Sequence, residues 1–476
     1  ALIGVGPSGS AKVVNGSLNL TDCEVGNLYF GAINGETVKS SITLNGCTVD
    51  TFCSTNRGFV GDAVAYINDT DITTFRTGAA NGCFSSDSGT PDGSGVTGSV
   101  TYNIDAESTI SDAALTPLIV RDNNNTTASI GDITLNKAGE PIKLKVDSFV
   151  TVYSGTTAAQ TVTDFIVPDG STVNLSGANV NVTAGQKLTN MGTITLDSDK
   201  AITIAEGAAF NDGGTTNATV VGNEGSIHKY VAKVGDTGYD SLADAMTDVL
   251  ANGGTLYVLQ DCKLDAAQYS ITKDVTIIGG NHDVDVKVAT GASTIAFNVN
   301  SGASFVLDGV NMTINGTANQ DPASKNDGTA FNIGTNSTLK LTGNTVLALN
   351  KLNRGITMGG EGSAKFIINN GSFYVNTVDG NLTNGGTLEF TSAYVNVDDC
   401  GDYGFSVNDI TLNNSTLNIS NVGYSAIFCN GGDLTLENSD VNISNCGSKL
   451  PKLDGTAADY VIDYKGNLDG MNITVD

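Results

Sequence analysis

Few residues in this 476-residue chain have the type and spacing to do chemistry. Asp398 and Asp399 are an adjacent carboxylate pair, followed three residues later by Asp402. Paired acids can protonate a leaving group and activate water. Neighbours on a strand, however, point to opposite faces, so this pair reads as a solvated loop. The two histidines, His228 and His282, are far apart, and neither supports a Ser-His-Asp or zinc arrangement. His282 lies in Asn281-His-Asp-Val-Asp285, where Asp283 and Asp285 could add oxygens around a hard cation such as Ca2+. Further ligands are missing from that loop, which reads as a surface turn, and no other cofactor is expected.

Composition narrows the partners. The formal charge is −27 with 23 basic and 50 acidic residues, which repels nucleic acid and anionic polysaccharide. No run of about 18 apolar residues offers a membrane span. The chain opens at Ala1-Leu-Ile with neither an initiating Met nor a signal peptide. We expect a processed or partial piece of a larger exported protein, at the cell surface or outside the cell.

The elements that must position these residues come from one recurring phrase. It reads Ile410-Thr-Leu-Asn-Asn-Ser-Thr-Leu-Asn-Ile419 and then Leu434-Thr-Leu-Glu-Asn-Ser-Asp-Val-Asn-Ile443. Apolar residues at positions one, three, eight and ten alternate as in half-buried strands, and the phase switches at position five. That position holds Asp22, Gly46, Asp69, Gly177, Gly309, Gly343, Asn370, Asn414 and Asn438 in successive copies. All are residue types that tolerate the left-handed backbone of a tight corner. Position six is small and faces inward, and in the first copies it is Cys23 and Cys47, expected to stack as buried thiols or to pair between coils. Of the remaining cysteines, Cys400 and Cys446 share a place two coils apart, about 10 Å, too far for a bridge. An even count of 8 cysteines leaves one or two disulfides open.

Most copies are spaced 22 to 27 residues apart, too short for a propeller blade and right for a solenoid coil. A Gly/Ser/Asp-rich loop interrupts the rhythm near 77–98, and residues 222–238 carry no strand pattern. One helix follows at about 240–251, capped by Asp240 or Ser241, with an apolar stripe of Leu242, Ala245, Met246, Val249 and Leu250. Asn252-Gly253-Gly254 ends it. The expected fold is all-β, a right-handed parallel β-helix in two tandem segments, 1–225 and 226–476, the second opened by the capping helix.

The corner Asn between short strands, and the helix leading into Gly-Thr-Leu-Tyr-Val and later Val-Thr-Ile-Ile-Gly-Gly, resemble the pectate-lyase-like β-helix superfamily. The segment Tyr239-Asp-Ser-Leu-Ala-Asp-Ala-Met is similar to the start of such domains in large microbial surface proteins and adhesins. The resemblance implies a fold, since enzymes, adhesins and stalks share it. The only arginines, Arg57, Arg76, Arg121 and Arg354, do not share a coil face as a lyase base and its groove would require. The Gly-His-Gly and Arg-x-Lys motifs of polygalacturonases are absent. Tyr374, Asn396, Asn418 and Asn442 form an outward row that could take a neutral glycan, tyrosine stacking on the ring and amides bonding hydroxyls. We therefore expect a structural or adhesive rod without catalysis; the alternative is a carbohydrate-active β-helix whose site lies in its loops. Its expected partners are further domains of a longer chain, neutral glycans, or a second copy, since Leu468–Val475 ends inside a phrase and uncapped coils can pair head to tail.

Overall fold

Inward apolar residues recur at one place in every coil, and the strands that carry them pair with their equivalents one coil away. Val275, Phe305, Leu339, Phe366, Leu388, Ile410 and Leu434 are successive register partners, and all are buried. Each is worth roughly 1.5–3 kcal/mol once removed from water. The chain is thus a parallel β-helical solenoid, as the phrase requires. The computed structural model describes residues 2–5, 15–30, 38–54, 61–78, 98–121, 128–147, 149–151, 160–162, 164–265, 267–288, 294–316, 328–359, 363–447, 462–465 and 472–475. Most of the loop at 77–98 and the first part of the last phrase copy, 468–471, lie outside these residues. Two units are distinguished, Ala1–Lys229 and Tyr230–Asp476.

In the second unit a full coil is three strands, one for each of three sheets. The first sheet runs from Gly254–Val258 to Ile427–Glu437, and the second from Cys262–Leu264 to Asn472–Val475. The third, from Tyr269–Ile271 to Thr383–Asn384, supplies the third strand of the coil. Its inner column stacks aromatic rings: Tyr269 on Phe297 at 5.7 Å and Phe297 on Phe331 at 5.3 Å between centroids. Helix Leu242–Asn252 packs over the first coil, with Ser241 Oγ accepting the Asp244 N–H at 3.1 Å. Leu242, Ala245, Met246 and Val249 join the core, while Leu250 is only half-buried.

The stretch at 222–238 corrects the sequence reading. Ile227–Lys229, Ala232–Val234 and Thr237–Tyr239 are strands, the last two an antiparallel hairpin turning at Gly235-Asp236. Gly235 has φ 54°, the left-handed value that a two-residue hairpin turn needs. Strands of three residues are too short for alternation to register, which is why the pattern was missed.

The first unit has two long sheets of nine and eight strands, with a third of four strands beginning at Asp164–Val167. Its register also departs from the phrase. The phrase aligns Val173 with Ile42, but Val173 pairs with Ile133, Ile133 with Val100, and Val100 with Ala63. The Gly177 corner therefore arrives two residues sooner than Asp69 does in its own coil. Lys137 stands opposite Ile104, where earlier coils bury isoleucine. It remains buried, its ammonium held by the Asp105 carbonyl at 2.7 Å and by the Ala138 carbonyl. A Cβ at Gly177 would sit 2.0 Å from the Lys137 carbonyl, so only glycine fits there. Among the described residues no helix is long and apolar enough to cross a membrane.

Candidate functional site

The corners set the coil geometry on which any site depends. All the position-five residues have positive φ, from 45° at Asp69 to 72° at Gly177. The corner amide continues the ladder at Asp22, Gly46, Gly309, Asn370 and Asn414, whose N–H donates to the Glu437 carbonyl at 2.9 Å, while Asp69 and Gly177 donate to the Asp105 and Asp197 carboxylates. The next amide has turned away from any carbonyl, and a side chain takes its place. Ala393 N–H donates to Ser415 Oγ at 3.1 Å, and Val310 N–H to Thr345 Oγ1 at 3.3 Å. Each hydroxyl donates back to a carbonyl, Ser415 to Asn413 at 2.8 Å and Thr345 to Leu307 at 3.0 Å. Where position six is Ser415 or Ser439 it is thus a buried polar rung, whereas Val310 and Ala393 leave the same place apolar.

Cys47 occupies the same rung with a thiol, Sγ lying 3.5 Å from the Leu20 carbonyl. Cys23 and Cys47 are both free; Cys47 is buried, while Cys23, at the corner between strands Asn15–Thr21 and Glu24–Phe30, is half-buried. Cys400 and Cys446 are free too, with Val422 in register beside Cys400. Cys53 is disulfide-bonded.

The acids that the sequence singled out are braced between coils. Asp398 accepts from Ser420 Oγ at 2.8 Å and Asn421 Nδ2 at 2.7 Å, and Asp399 from Thr377 Oγ1 at 3.1 Å. His282 Nδ1 lies 3.2 Å from Asp261 Oδ1, which also accepts the Asp283 amide at 3.0 Å. That amide, then the imidazole, holds the Asp261 carboxyl below the usual range. Asp283 and Asp285 share one outward face but accept from Asn311 at 3.1 Å and Asn315 at 2.6 Å. Among the described residues no three His, Cys, Asp or Glu side chains are grouped to hold a metal ion.

Arg76 is also structural. It bonds Asp112 at 2.9 Å and Asp147 at 3.2 Å, and Lys145 reaches Asp112 at 3.0 Å. Arg354 is exposed on another unit, and Arg57 lies outside the described residues. The buried Asn190 amide closes a different corner, donating to Asp212 Oδ1, the Thr215 carbonyl and Thr216 Oγ1 at 3.0–3.2 Å.

The outward row assembles in register: Tyr374 faces Asn396, Asn396 faces Asn418, and Asn418 faces Asn442. Asn442 Nδ2 donates to Asn418 Oδ1 at 2.9 Å, and Asn418 Nδ2 to the Tyr394 hydroxyl at 3.3 Å. Tyr394 was not singled out from sequence. Its ring lies 5.8 Å from that of Tyr374, and both are exposed, at 41% and 38%. Its place at position seven, two residues from the row in the neighbouring coil, was the available signal.

The first unit carries a second such row. Tyr66 faces Asn103, Asn103 faces Asn136, and Asn136 faces Ser176. Tyr66 is 46% exposed, and Asn136 Nδ2 donates to Asn103 Oδ1 at 2.9 Å. A recess of about 430 Å³ opens beside it, where the register shift pulls the corners apart, lined by Asn68, Asn103, Asp105, Asn136, Lys137 and Ser176. The shift also hid this row, because aligned phrases put Tyr66 and Asn136 at different positions. A second column of left-handed residues was missed as well: Lys351, Thr377, Asp399, Asn421 and Asn445, with φ between 53° and 72°. They bend the second strand of each coil; three of the five are Asn or Asp, the types that favour this conformation.

Compared with known proteins, the chain matches no family model and no curated sequence.

Proposed function

We propose that this chain is a structural and adhesive scaffold, part of an extracellular microbial surface protein or filament, and that it performs no catalysis. One observation carries the reading: the outward groups that could do chemistry are spent holding coils together. Asp398, Asp399, Asp283 and Asp285 each accept a bond from a neighbouring coil. A hydrolytic pair needs one acid poised to donate a proton and one to activate water, with room between them. A strut between coils provides neither.

A scaffold has to carry load along its stack. Its coils contact only their neighbours, so they should release singly under force. Pulling the whole chain by its ends should give successive steps of one coil, 21 to 35 residues by the register partners of the second unit. That is about 80 Å of contour for a short coil. Extension at negligible force, without discrete steps, is the outcome that would sink the scaffold reading.

A further inference from the structure

The two tyrosine-asparagine rows share a composition, a direction and an outward setting, although they belong to separate units. In each, an exposed tyrosine is followed over the next two coils by asparagines in strict register, Tyr66–Asn103–Asn136 and Tyr374–Asn396–Asn418. Core packing does not demand this, since the side chains are outside the buried columns. The amides do bond along the stack, but that uses only part of their capacity. A primary amide has two N–H donors and two lone pairs, and the Asn442–Asn418 and Asn136–Asn103 bonds take one donor from the first partner and one lone pair from the second.

We propose that each row binds a neutral glycan laid along the stacking direction. A sugar ring offers an apolar C–H face, which suits an exposed phenol ring, and a rim of hydroxyls, which suits amides able to donate and accept together. Tyrosine supplies that contact area at small entropic cost. Tyr394 widens the platform in the second unit, and the recess beside Asn103 and Asn136 lets a ring sink deeper in the first. Charge decides the class of glycan. The rows themselves are uncharged, and the surrounding formal charge of −27 opposes uronic acids and sulfated chains. The inference deepens the adhesive part of the proposed function and rests on it.

Affinity electrophoresis of the whole chain through gels cast with soluble β-glucan, mannan, galactan or polygalacturonate tests this. At least one neutral polymer should retard the native chain, and polygalacturonate should not. Tyr66→Ala, and Tyr374→Ala with Tyr394→Ala, should each weaken that retardation by about tenfold, and the three together should abolish it. Urea midpoints of the variants should match the native chain, since these tyrosines are exposed. Retardation that survives the triple substitution, retardation by polygalacturonate alone, or none in any gel overturns the proposal. So does self-association lost on the same substitutions, which would assign the rows to a second copy. Each of these failures leaves the stepwise release of coils under force untouched, so it is distinguishable from failure of the scaffold.

Discussion

The amide of Ser415 donates to the hydroxyl of Ser439, one coil further on, across 3.0 Å. Ser415 Oγ does the same service for Ala393 on the other side. The corners before Ala393 and Ser415 thus each strand one amide, and the position-six serine of the next coil supplies the acceptor that the sheet no longer can.

Ser415→Ala should therefore cost about 1–3 kcal/mol, because it leaves the Ala393 amide buried without an acceptor. Ser415→Cys should cost less, as Cys47 fills the equivalent rung elsewhere. Urea unfolding gives the size of the loss, and faster hydrogen exchange at the Ala393 amide locates it. Unchanged exchange there would show that the amide has another acceptor.

Gly343 is held by two constraints at once. Its φ is 62°, and a Cβ would lie 1.8 Å from Asp308 Oδ1. Gly343→Ala should destabilise by more than the roughly 1–2 kcal/mol of a left-handed residue alone. Adding Asp308→Ala should return part of that loss, while Asn414→Gly should change stability little. A double-substitution cycle in urea checks the coupling; strict additivity would mean that the carboxylate moves aside freely.

These positions mark how far the sequence could be read. Inward alternation fixes the coil because its period is two and its phase is renewed at each Asn or Gly corner. Lys137 broke that logic: a lysine in an isoleucine row looks like an outward residue, yet it is buried where the corner slips by two. The Tyr374 row was legible because it lies in regular coils. The Tyr66 row was not, because its members align only once the slip is known.

Raised pH should loosen the capping helix. Desolvation, and then the Asp248 carboxylate to which its hydroxyl donates at 2.6 Å, push Tyr239 up to about 12. The folded form holds this proton more tightly, so its contribution is complete below the ordinary value of about 10 and is lost as pH rises towards 12. Asp248→Asn should lower the Tyr239 titration midpoint, read as the ultraviolet difference against Tyr239→Phe. An unmoved midpoint would discount the contact.

Burial pushes the Cys262 thiol up to about 11 and raises Cys400 further. Only the thiolate is a good nucleophile. Iodoacetamide at pH 8 should label both slowly, and Cys262 labelling should rise about tenfold per pH unit towards pH 11. Peptide mass analysis follows each site, and rapid labelling of Cys400 at pH 8 would mean that the coil opens.

If the outward acids of this chain only join coils, as proposed, they do no chemistry on a polysaccharide. Incubation of the whole chain with a panel of neutral and acidic polysaccharides, with and without Ca2+, tests it most directly. No new reducing ends and no unsaturated products are expected over many hours. Products that appear with the native chain and vanish with Asp398→Asn or Asp399→Asn would contradict it.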